Sequence, residues 1–372
     1  LDAWVELTLM NNWEDFSSAL KNFGVPGQNI VYADVDGNIG WRPAVYIPIR
    51  KMGYSMVPRP GWDKSFEWSG YVPFEEMPYL YNPPEGYIST ANNRTIGNKF
   101  PYYISGLWAD PSRSSRIKEV LEEDKKFSLE DMKALQLDLT SNFSKEILPY
   151  ILKNVGTFEN PIFKRAIKFL KDWNNIESID SEGTLLFHSI SNQIIQNVYY
   201  DELSVLGDKY FETFIGLKYI TKRNLRNILN NNTNKWVDDI RTPNKIETID
   251  EIITKSIESG IQKVVDTYGP NWSNWKWGSA HSLTHKHILG DVKILNYLFN
   301  LNIGPYLSGG SDVTPNAGGY SLHKGFNQTS GASMRRIVDF SDLNRTSMIL
   351  PTGQSGLHNS PHYSDQAALY HE

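Results

Sequence analysis

Gly86-Tyr87-Ile88-Ser89-Thr90-Ala91-Asn92-Asn93 and, further on, Leu107-Trp108-Ala109-Asp110-Pro111-Ser112-Arg113 frame the stretch on which the reading of this chain turns. The first piece reads as a strand that runs into paired asparagines in an aromatic-rich loop. A side-chain amide in that place can donate to an oxyanion. Asparagine is also an ordinary turn former, so the residue type alone leaves both roles open. Arg113 likewise reads as a site residue or as a plain charge at a helix start.

Working outward, residues 50–100 are rich in Pro, Gly and Tyr and read as a long structured loop with short strands. So long an irregular stretch is usually functional or pinned against a neighbouring chain. Upstream, Asn29–Asp34 and Asn38–Trp41 flank Asp36-Gly37, a pair suited to a tight hairpin turn. Further back, Leu1, Trp4, Val5, Leu9, Trp13, Phe16 and Leu20 recur at helical spacing. Gly24 and Pro26 supply the stop, with Gly24 expected in the left-handed C′ conformation. Downstream, Ser128 and Asp131 form a variant capping box, with Phe127 and Met132 as its staple. Helices are expected over 160–173, 182–200, 205–218 and 247–268, with an exposed loop tip at Asn227–Asn234. From Trp275 the pattern changes to short strands broken by glycine, among them 333–339, before a last helix from about Ser364. This order predicts an α+β protein. Its parts are a helix, hairpin and loop region (1–110), a mainly helical region (111–270) and a β-rich return with a C-terminal helix (271–372).

Composition excludes several classes. The 372 residues carry a net charge of −5 with no basic stripe, which argues against nucleic acid as the main partner. No run reaches the roughly 18 apolar residues of a membrane span, so a soluble protein is expected. The absence of cysteine excludes thiolate zinc sites, disulfides and cysteine nucleophiles within the chain, and fits an exported protein. Aromatic residues make up 13%, enough to line pockets as well as fill cores. The chain opens Leu1-Asp2-Ala3-Trp4-Val5, neither signal peptide nor initiator methionine, and reads as a piece of something longer.

Other constellations have plainer readings. His281, His285 and His287 lack a nearby carboxylate before Asp291, so packing and hydrogen bonding are expected rather than metal ligation. Gly353-Gln354-Ser355-Gly356 lacks the second flanking glycine of a nucleophile elbow, because Leu357 holds that position. A turn is expected there. The glycines at 309–310 and 318–319 also read as turns, and Glu75-Glu76 and Glu122-Glu123 as solvated faces.

Taken in order, these segments resemble a family. Tyr32-Ala33-Asp34-Val35-Asp36-Gly37-Asn38-Ile39-Gly40, Glu67-Trp68-Ser69-Gly70, Asn82-Pro83, Asn92-Asn93 and Leu107–Arg113 carry the likeness in the first third. Trp277-Gly278, the Gly310–Gly319 stretch and Pro351–Gln366 carry it at the end. The chain looks like the later two-thirds of the β-chain of the penicillin acylases, relatives of the acyl-homoserine-lactone acylases. The resemblance implies a partial αββα sandwich of the N-terminal-nucleophile hydrolase type, matured by self-cleavage, with an inserted helical region. It implies hydrolysis of an acyl amide, such as a β-lactam antibiotic or an acyl-homoserine lactone, by an N-terminal serine upstream of Leu1.

By the same resemblance, Asn92 aligns with the oxyanion asparagine and Arg113 with an arginine that orients the site. Trp4 aligns with a wall of the acyl pocket, although its place on an apolar helix face also fits a core residue. The family often binds structural calcium, but Tyr102 stands where a carboxylate ligand is expected, so no cofactor or metal is assigned. The implied partners are a small acyl amide, the α-chain and the preceding part of the β-chain, with neither nucleic acid nor membrane. The implied location is periplasmic or secreted, in a bacterium or archaeon. The fragment itself, lacking the nucleophile, is expected to be inactive alone. A non-catalytic binding module or a catalytically dead homologue is the competing reading.

Overall fold

The computed structural model describes residues 1–54, 56–231 and 234–371. They fall into two compact units, Leu1–Ala109 with Val338–Thr346, and Asp110–Ile337 with Ser347–Glu372. No helix among the described residues is long and apolar enough to cross a membrane.

In the first unit the opening apolar run makes two helices, α1 (Asp2–Leu9) and α2 (Trp13–Leu20). The break is a capping event: Met10 is extended, and the Asn12 side chain accepts from the Asp15 N–H at 2.8 Å. Gly24 is not left-handed, contrary to expectation, because α2 ends earlier, at Lys21, whose own N–H closes the last turn. The glycine serves close approach instead, since a Cβ there would lie 3.1 Å from the Tyr46 ring.

Next comes the hairpin of β1 (Gln28–Ala33) and β2 (Ile39–Ala44), antiparallel with Ala33 opposite Ile39. Its turn is held by the Asp34 carboxylate, which accepts from the Asp36 and Asn38 N–H groups, with Gly37 at φ +89°. Two short strands, β3 (Pro48–Arg50) and β4 (Trp68–Tyr71), pair with each other, and β5 (Leu80–Tyr81) joins β2. Helix α2 lies on the β1-β2-β5 sheet. A Cβ at Gly40 would sit 2.2 Å from the Trp13 ring, and that ring stacks on Tyr81 at 4.8 Å. Trp13, Phe16, Leu20, Phe23, Tyr32 and Ala44 form the core between them. Each large side chain so buried contributes about 1.5–3 kcal/mol. A second cluster, Ile47, Val72 and Met77 with Tyr102 and Ile104, pins the long loop.

The second unit begins with helices α3 (Ser112–Leu121), α4 (Leu129–Gln136), α5 (Asn142–Lys153), α6 (Pro161–Asp172) and α7 (Glu182–Ser204). It continues with α8 (Asp208–Gly216), α9 (Lys218–Leu229) and α10 (Ile249–Tyr268). Ser128 and Asp131 make the expected capping box. Asn227 lies inside α9 rather than in a loop, and Asn232 and Thr233 of the expected loop tip lie outside the described residues. Helix α7 is buried on all sides over residues 183–192, polar side chains included, because it is the centre of the unit's core. Gly260 lets α10 press against it: a Cβ there would lie 2.8 Å from the Ile190 Cα.

The return consists of α11 (Trp277–Ala280), β6 (Ser282–His285), α12 (Lys293–Phe299) and β7 (Ile303–Leu307). It then runs through β8 (Gly318–Ser321), β9 (Gly325–Gly331), β10 (Arg335–Ile337), β11 (Ser347–Ile349) and α13 (Ala367–His371). The pairs β6–β7, β8–β9 and β10–β11 are all antiparallel. Gly318 and Gly319 are strand residues of β8, which corrects their reading as a turn. A Cβ at Gly318 would meet the His281 ring at 2.9 Å, so the glycine is there for clearance.

Candidate active site

Asn92 sits in the first unit on an exposed turn and takes the left-handed conformation, φ +60°. Few residues other than glycine adopt it, and asparagine is among those that do. Hydrogen bonds on both sides of Asn92 hold the turn. The Asn92 carbonyl accepts from the Ala109 N–H at 2.9 Å. The Asn93 side chain accepts from the Ala91 N–H at 3.0 Å and donates to the Arg94 carbonyl at 3.1 Å. Ala91 and Ala109 are both buried, so the turn is anchored to packed backbone while Asn92 as a residue is exposed. Beside it lies a cleft of about 350 Å³, lined by Trp41, Ile88, Thr90, Asn93, Arg94 and Thr95 among others. A primary amide on such a support presents N–H donors to a negative oxygen with little reorganisation.

Trp4 is in the same unit, on α1. It is 54% exposed, with its ring edge-on to Phe23 at 5.6 Å, so it is a surface aromatic and not a core one. Arg113 lies in the second unit, half-buried in the first turn of α3. A cation there opposes the helix dipole, so its place needs another reason than helix stability. The turn before it is built by buried Asp110, which accepts from the Ser112 N–H at 2.9 Å and pairs with Arg226. Arg226 also reaches Glu146 at 2.5 Å and the Ser112 hydroxyl at 2.9 Å. Burial works against the Arg226 charge, but these carboxylates raise its pKa. Sequence reading quoted Asp110 and missed Arg226 and Glu146, because nothing local marks partners so far apart in the chain.

The remaining constellations disperse. His281 is buried and stacked on Trp277 at 4.6 Å, and its Nδ1 lies 2.6 Å from the Phe326 carbonyl. A carbonyl only accepts, so Nδ1 carries the proton. His285 Nε2 faces His371 Nε2 at 3.1 Å, while His287 Nδ1 accepts from the Leu289 N–H. Ser355 lies in the expected turn, where its hydroxyl accepts from the Leu357 N–H. Tyr102 does not suit a hard cation. Its hydroxyl donates to Glu76 at 2.5 Å, and that bond raises its pKa, so it offers no anionic oxygen.

A family model described as penicillin amidase matches residues 1–372. An acyl-homoserine lactone acylase QuiP of Pseudomonas fluorescens is 28% identical over 378 residues, covering 98% of this chain and 45% of the relative. A penicillin acylase 2 proenzyme of a Pseudomonas species is 25% identical, over 94% of this chain and 44% of the relative. The chain thus spans about half the length of the curated relatives it matches. Among solved structures, a thermostable penicillin G acylase from Alcaligenes faecalis superposes with a TM-score of 0.64 at 18% identity. That match covers 99% of this chain and 67% of the other.

Proposed function

The chain belongs to the penicillin amidase family and has the N-terminal-nucleophile hydrolase fold; from that premise we propose that it forms the oxyanion-binding part of an amide-bond acylase. The single observation that carries the proposal is Asn92 itself, an exposed residue held left-handed on anchored backbone. The substrate class is an acyl amide with a hydrophobic acyl group, as in the relatives named for acyl-homoserine lactones and penicillins.

In the reaction, a serine hydroxyl upstream of Leu1 attacks the amide carbonyl, and the free α-amine of that serine takes its proton. The carbonyl π electrons move onto oxygen, where the Asn92 N–H meets the new charge. Collapse breaks the C–N bond, and the amine leaves with a proton. Water then releases the acid from the acyl-enzyme. Asn92 acts on both tetrahedral intermediates, Arg113 orients the site, and Trp4 supplies apolar wall. Self-cleavage to expose the serine, and a periplasmic or secreted location, belong to the same proposal.

Exposed Ile288, Val292, Ile294, Tyr297 and Leu298, gathered in one short segment, support a further polypeptide segment as partner, since so many large apolar side chains left in water are costly. The test is hydrolysis of a panel of aryl-acetyl and fatty-acyl anilides by the full-length protein. Amine release is expected, with a new serine N-terminus in the mature product. A processed, folded protein that releases no amine across the panel would support the dead homologue or binding module instead.

A further inference from the structure

Asn93 is a neighbour of the proposed donor, and its side chain is used wholly within the turn. Its Oδ1 accepts from the N–H of Ala91, the residue before Asn92, and its Nδ2 donates to the carbonyl of Arg94, two residues after Asn92. One carboxamide thus spans the left-handed residue from both sides. A further restraint, from the Ala109 N–H, holds the Asn92 carbonyl from outside the turn. With Asn93 removed, the turn keeps an anchor and loses its clip.

We propose that Asn93 is a positioning residue: it fixes the backbone of Asn92 and through it the direction of the Asn92 N–H toward the oxyanion. The proposal rests on the reading of Asn92 as oxyanion donor. It explains why a second asparagine follows the first, which a turn-forming propensity alone does not require. Asparagine suits the task because it carries an acceptor and a donor on one planar group. Alanine has neither. Aspartate keeps the acceptor but loses the donor and adds a charge opposed to the oxyanion.

The test is a double-mutant cycle on the full-length, processed enzyme with an acyl anilide. Asn93→Ala is expected to lower kcat about 10-fold with KM changed less than twofold. Asn92→Gly, which removes the donor and tolerates the positive φ, is expected to lower kcat about 100- to 1000-fold. In the Asn92→Gly background, Asn93→Ala is expected to cost nothing more, because its effect passes through the absent amide. Equal losses in both backgrounds, or no loss in the native one, would overturn the positioning role while leaving Asn92 in place. Full activity in Asn92→Gly would overturn the reading of Asn92 and this proposal with it. Should Asn93→Ala fail to process, Asn93→Ser keeps a hydroxyl acceptor and is read in the same cycle by the same two criteria.

Discussion

Asn92 is a left-handed backbone position and, in the function proposed, also a side-chain donor. Replacement by alanine removes the amide and, with it, the short polar group that lets asparagine tolerate the left-handed region, leaving a residue that pays roughly 1–2 kcal/mol there. Glycine removes the amide without that strain, so Asn92→Gly should melt close to the native protein and Asn92→Ala several degrees lower. Thermal unfolding of the two variants checks this. His281 makes a second residue-scale prediction. Burial pushes its imidazole from the usual 6.5 down to about 4, partly offset by the Phe326 carbonyl. The unfolded chain therefore takes up a proton near pH 6.5 that the folded chain refuses until about 4. The unfolded state binds more protons in between, so stability is complete above pH 6.5 and falls as pH drops toward 4. Melting curves over that window should be flatter for His281→Gln, by about 1.4 kcal/mol per pH unit at most. At Asn92 only the turn was legible in the sequence: asparagine is a turn former, but the strand expected over residues 86–91 is not formed, and the residue's role is carried by the resemblance. The clip made by Asn93 was not, because residue type does not say where a side chain turns. Nor was Arg226, which meets Asp110 across 116 positions.

The elements divide in the same way between local signals and close approaches. Helix α6, expected over 160–173 and found at Pro161–Asp172, carries Asn160 as its cap, proline at its first position and a strongly one-sided apolar face. Helices α1 and α2 read as one because the apolar spacing continues across the break, although Asn12 and Asp15 marked a start. Helix α12 was missed altogether. It has no side-chain cap and presents its apolar residues to the surface, so periodicity gave no inward face. Gly24, Gly260 and Gly318 were misread or passed over because each exists for a neighbour that only the fold brings near. At this scale Gly260→Ala should destabilise the second unit by about 1–3 kcal/mol, since the added methyl meets the Ile190 backbone rather than a movable side-chain end. Ser128→Ala, which opens the capping box of α4, should cost about 1 kcal/mol. Denaturant midpoints of the two variants separate these magnitudes.

For the molecule as a whole, the length of its relatives and its own surface point the same way. The chain spans about half of the curated proteins it matches, and Ile288, Val292, Ile294, Tyr297 and Leu298 stand exposed around α12. An apolar-surface dye should therefore bind the 372-residue chain strongly and the full-length protein weakly. Equal binding would leave that face without a partner. The family and the α+β architecture were legible in the order of modest motifs along the chain. The return of Val338–Thr346 to the first unit was not, because it groups with residues more than two hundred positions earlier. The central claim is that this chain supplies the oxyanion donor of an acylase. Single-turnover hydrolysis of an acyl anilide by the full-length enzyme, native against Asn92→Gly, tests it most directly. The account predicts acylation slowed about 100- to 1000-fold with substrate binding nearly unchanged. An unchanged acylation rate in a folded, processed Asn92→Gly enzyme would contradict it.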